Sequence, residues 1–185
     1  MIAHKLDCNT KIPDLDMTLG DFWSWAYSEV MSNTTRSVFA EFLVGAALGV
    51  VDAPRIEWDA VDLRYHGKKI EVKASAFLQS WQQQQLSRVV FDIAQKEAWD
   101  AETNSYFPSK RRVADCYIFC LYSETDAAKA NILDMVTWQF YVMPTEQIDQ
   151  EFGNQRSISL GRLQQFCQPV AYPDLRSLVD KTLHP

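Results

Sequence analysis

The chain has 185 residues, 47% of them hydrophobic, and a formal net charge of −6. That length suits one domain with a sizeable core, and the acidity excludes a protein that coats nucleic acid through a general positive field. The longest apolar run, residues 38–51, is too short to span a bilayer and contains Glu41, so no membrane association is expected.

The first seven residues hold no apolar stretch of the secretory kind. The cysteines at 8, 116, 120 and 167 form no CxxC, and Cys116 and Cys120 share one face of a strand-like run. Buried free thiols fit that spacing better than a bridge or a metal pair, and a cytoplasmic, reducing location is expected. Thr18 and Asp21 have capping-box spacing and predict an aromatic-rich helix to about residue 31. Asn33 and Thr34 predict the cap of a second helix over 35–50, in which Gly45 and Gly49 allow close packing. Pro54 leads into a hairpin: residues 59–65 and 68–75 flank His66-Gly67, and glycine accepts the positive φ of a two-residue turn. Further strands are predicted over 88–93, 113–122 and 138–143. Pro144-Thr145 starts a short helix, Ser159 caps another over 160–167, and Pro173-Asp174 opens a terminal one over 175–183. The order predicts a mixed α/β chain with a central sheet, in a single domain over 1–185.

The hairpin carries the chemistry. With 66 and 67 as the turn, Tyr65 pairs with Lys68, Leu63 with Ile70 and Asp62 with Glu71. Alternation then puts Ala60, Asp62, Arg64, Lys69, Glu71 and Lys73 on one face, and Val61, Leu63, Tyr65, Ile70 and Val72 on the other. Asp59 differs from Asp62 by an odd number and points away, so it serves only if a bulge intervenes. Glu41 is the single polar residue of its run, with no cation at helical spacing, so its partner must be tertiary. Either it lies at an exposed edge or forms a salt bridge with a residue such as Arg88, or it joins Asp62 and Glu71. Three converging acids call for a cation, and Mg²⁺ or Mn²⁺ suits hard oxygen ligands. Lys73 is placed to orient water or neutralise phosphorane charge, the plain alternative being an ion pair with Asp62. Gln79, with Trp81 beside it, is a candidate substrate contact; the plain alternative is a polar loop anchored by a buried Trp. Basic patches are available at 110–112 and at Arg64, Lys68 and Lys69. Asp92, Asp115 and Asp134 read as surface or cap residues, and none of the three histidines has metal-ligand spacing.

A helix bearing Glu41, then Asp62, then Glu71-Val72-Lys73 resembles the PD-(D/E)xK nuclease superfamily, with Val61 where the name-giving proline would sit. The resemblance covers roughly residues 34–122. It implies a restriction-endonuclease-like fold, a mixed sheet flanked by helices, with a nuclease-like core over about 34–143 and a helical C-terminal part over about 145–185. It implies metal ligation by Asp62, Glu71 and Glu41, a catalytic Lys73, and Mg²⁺- or Mn²⁺-dependent hydrolysis of nucleic acid, DNA favoured. A homodimer would bring two such sites to a duplex. The alternative from another class is a non-catalytic nucleic-acid-binding or assembly module that keeps this fold.

Overall fold

His66 and Gly67 both have positive φ, 49° and 77°. That pair of signs defines the tight turn whose twist matches a right-handed hairpin. It joins β1 (Leu63–Tyr65) to β2 (Lys68–Ala76) antiparallel, with Leu63 opposite Ile70 and Tyr65 opposite Lys68, the register read from the sequence. The computed structural model describes residues 4–57, 59–97, 99–100, 105–106 and 109–184.

Two helices precede the hairpin. In α1 (Leu19–Tyr27) the Thr18–Asp21 capping box is formed, but the helix stops short of residue 31 and buries none of its side chains. The cap of α2 (Asn33–Leu48) is Ser32, whose hydroxyl accepts from Thr35 N–H, so the helix starts two residues earlier than expected. The two glycines of α2 have different tasks. A Cβ on Gly45 would meet Val51 Cγ1 at 2.8 Å, whereas Gly49 has open space and ends the helix at φ 75°.

β2 continues into the sheet's centre by pairing in parallel with β6 (Cys116–Tyr122), and β6 pairs antiparallel with β7 (Trp138–Pro144). The order β1-β2-β6-β7 makes a mixed four-stranded sheet flanked by helices, as expected for a restriction-endonuclease-like fold. A parallel pair needs a crossover. Among the described residues of 77–115 it is made without a helix, through β3 (Val90–Asp92) and the paired β4 (Trp99–Asp100) and β5 (Ser105–Tyr106). The strand expected over 88–93 therefore shrinks to three residues. It joins no central strand but pairs with β8 (Ser157–Ser159), which a single apolar residue, Ile158, did not announce. After β7 come α3 (Thr145–Phe152), α4 (Leu160–Leu163) and α5 (Leu175–Leu183). α4 is half the expected length, and Ser159 makes no side-chain cap there.

Alternation on the central strands feeds two cores. Ile70, Val72, Cys116, Ile118, Cys120, Phe140 and Val142 pack with Leu43 and Val44 of α2 and Leu175 and Val179 of α5. Tyr117, Phe119, Tyr141 and Met143 face the other way, onto Phe91, Ile93, Ile148, Phe152 and Leu163. Cys116 and Cys120 are buried, unbridged thiols. Among the described residues, no helix is long and apolar enough to cross a membrane.

Candidate active site

Strand periodicity puts Glu71 and Lys73 on the same side of β2, opposite Tyr117 and Phe119 of β6. Asp62 arrives differently from the sequence expectation. β1 begins only at Leu63, so the ladder ends one pair short and no Asp62–Glu71 pair forms. Residues 59–62 bend instead, and Asp62 Oδ2 accepts the Val72 N–H at 2.7 Å. The carboxylate thereby satisfies a strand donor that a longer β1 would have met with a carbonyl. The bend also breaks alternation at Val61, which packs in the second core and not beside Leu63 and Tyr65.

Asp62, Glu71 and Lys73 line one cleft of about 430 Å³, with Asp59, Lys96, Arg111 and Tyr117 around them. Lys73 Nζ donates to Glu71 Oε1 at 2.5 Å. In place of the plain alternative, a cross-strand ion pair with Asp62, the ion pair is made within β2. Burial and then the nearby Glu71 charge push the Asp62 carboxyl up to about 6, against the opposing pull of Val72 N–H and Lys73. For Lys73 burial favours the neutral amine, but the charge and hydrogen bond of Glu71, helped by Asp62 and Asp92, outweigh it. Its pKa is raised, and the ammonium form is secured.

Glu41 is buried at 8% exposure, and both its oxygens accept from Arg55, Oε1 from Nη2 at 2.9 Å and Oε2 from Nε. Its charge still raises the Asp62 pKa, so it lies within electrostatic reach of the cleft. The tertiary cation demanded by its burial is Arg55 rather than Arg88. Among the described residues no three His, Cys, Asp or Glu side chains gather as a metal site. Asp59 holds Arg64 through two contacts, 3.1 and 3.2 Å.

Gln79 lines a different groove. Its Oε1 accepts from Arg36 at 3.2 Å, and its Nε2 donates to Ala76 O at 3.1 Å. Trp81 is 56% exposed, so the loop is not anchored by a buried indole. The basic run 110–112 is divided: Arg112 is buried on Ile93 O, Asp149 and Gln155 O, while Arg111 reaches the cleft. Asp134 caps a short turn as expected, and Asp115 accepts from Lys69 N–H. Asp92 comes nearer the chemistry than its sequence suggested, 3.6 Å from Lys96, which lies 3.6 Å from Glu71. No local spacing connects 92 and 96 with 71; only the crossover brings them there.

A family model described as Bacteriophage T4 endonuclease IV matches residues 8–162, a span that contains every cleft residue named above. No curated protein matches the chain. With a match over most of its length, the chain belongs to the bacteriophage T4 endonuclease IV family, which implies nuclease activity.

Proposed function

We propose that the chain is a divalent-metal-dependent DNA nuclease of the PD-(D/E)xK type, with Asp62 and Glu71 as metal ligands and Lys73 as the catalytic lysine. The observation that carries this reading is the convergence of the Asp62 and Glu71 carboxylates with Lys73 in one cleft, where burial and Glu71 push the Asp62 carboxyl up to about 6. Two hard oxygen donors, with the Glu71 charge disfavouring ionisation of Asp62, fit Mg²⁺ or Mn²⁺, which would relieve the repulsion. Such an ion would supply Lewis-acid polarisation of the scissile phosphate and lower the pKa of the attacking water.

The chain's own groups do the rest. Val72 N–H fixes one oxygen of Asp62, whose side chain lines the cleft. Lys73 stays protonated beside Glu71 and donates to a phosphate oxygen as charge accumulates there. Glu41 acts through Arg55: with both oxygens engaged, it holds that guanidinium within electrostatic reach of Asp62. Gln79 has its amide engaged by Arg36 of α2 and by Ala76 O, and is given no substrate contact.

The engagement of Glu41 by Arg55 is the one observation favouring the alternative, a binding module that kept the fold and lost cleavage. A cleavage assay on single-stranded, duplex and branched DNA and on RNA, with and without Mg²⁺, decides between them. Divalent-dependent cutting that disappears in Asp62→Ala supports the nuclease; binding without cutting under every ion supports the module.

A further inference from the structure

Lys96 and Arg111 lie far apart in sequence and meet in an isolated antiparallel bridge, each N–H donating to the other's carbonyl at 3.1 Å. Residues that exchange both hydrogen bonds stand directly opposite, with side chains on the same side. Both are exposed, and both line the cleft that holds Asp62, Glu71 and Lys73. Two cations, from separate parts of the crossover, are thus brought to one side of the cleft in an otherwise acidic protein.

Lys96 and Lys73 differ in how they are held. The Lys73 side chain is 18% exposed and hydrogen-bonded to Glu71. That of Lys96 is 57% exposed and stands 3.6 Å from both Glu71 and Asp92, beyond a formed hydrogen bond. Lys96 can leave these carboxylates for a stronger acceptor at little cost. Arg111 brings a planar fork of donors that matches phosphate geometry.

We infer that Lys96 and Arg111 form a two-pronged grip on a backbone phosphate flanking the scissile one, so that the substrate is a polynucleotide engaged through at least two phosphates. This rests on the nuclease reading of the same cleft. The pair are positioning residues: they hold the strand across the site and leave Lys73 to the reacting phosphate.

The test is binding of a fluorescent single-stranded oligonucleotide and its duplex in EDTA, where no cutting occurs, as a function of salt. Lys96→Gln and Arg111→Gln each weaken binding severalfold at low salt. Each also flattens the slope of log K against log salt by about 0.7 on the single strand and about 0.9 on the duplex. Lys96→Arg restores the slope. A salt slope unchanged in both Gln variants, with unaltered melting temperatures, overturns the grip while wild-type binding leaves the nuclease reading standing. Absence of wild-type binding under all salts also overturns the grip, and the nuclease reading then stands or falls on the cleavage assay alone.

Discussion

On one face of the four-stranded sheet, Ile70 and Val72 of β2 continue the apolar surface of β6 and β7 under α2 and α5. On the other, β6 and β7 still present Tyr117, Phe119, Tyr141 and Met143, but β2 presents Glu71 and Lys73. The same backbone therefore carries a sealed half and a charged half, one residue out of phase. Helices close the first face. The second is roofed over its apolar strands by β3, α3 and α4, and the gap left along β2 is the cleft. Substitutions one position apart on β2 should fail for opposite reasons, and that contrast can be broken experimentally.

The largest effect belongs to the charged face. Lys73→Ala should slow cleavage by about 10³-fold, about 4 kcal/mol of transition-state stabilisation, read in single-turnover assays. Next comes the sealed face. Ile70 is wholly buried, and Ile70→Ala should lower unfolding free energy by about 3 kcal/mol in urea melts while the folded fraction cuts at the wild-type rate. If Ile70→Ala lost activity in proportion to Lys73→Ala without unfolding, the division between the faces would be mistaken.

Asp62 joins the two kinds of effect. Its raised pKa means that the folded protein holds this proton more tightly than the unfolded chain. That contribution to stability is complete below about 4 and is lost as pH rises through about 6. In metal-free protein, Asp62→Asn should be more stable than wild type by about 2 kcal/mol at pH 8, with the advantage vanishing at pH 4. Melts across that range, run beside a cleavage assay in which the variant is inactive, check the sign. The smallest effect concerns Arg55, whose side chain is 37% exposed. Arg55→Ala should cost about 1 kcal/mol in urea melts, discounted for solvent, and adding Glu41→Gln should recover part of it.

Much of this was legible in the sequence because its cause was local. His66-Gly67 sets the turn and hence the hairpin register, and β-strand alternation then places Glu71 and Lys73 together. The apolar runs of β6 and β7 and the terminal helix α5 follow from composition and capping signals in the same way. Asp62 was assigned to the cleft from an idealised ladder, whereas it gets there from a bend that sends Val61 to the opposite core. Nothing in the periodicity of residues 59–62 marks where β1 gives out. Glu41 plainly needed a cation, but the choice of Arg55 depends on how the loop before the hairpin folds back over α2. Residues 110–112 read as a basic patch and Asp92 as a surface or cap residue, but the placing of Lys96, Arg111 and Asp92 at the cleft is out of reach for a similar reason. They lie in a crossover without regular periodicity, and their bridge has no sequence signal shorter than the whole fold.

The central claim is that Asp62 and Glu71 form a single cation-binding pair, and calorimetric titration of Mn²⁺ tests it most directly. Wild type should bind Mn²⁺, Asp62→Asn and Glu71→Gln should each weaken binding at least about tenfold, and Lys96→Gln, which removes a cation 3.6 Å from Glu71, should not weaken it. Mn²⁺ binding of equal strength in wild type and in both carboxylate variants would contradict the account.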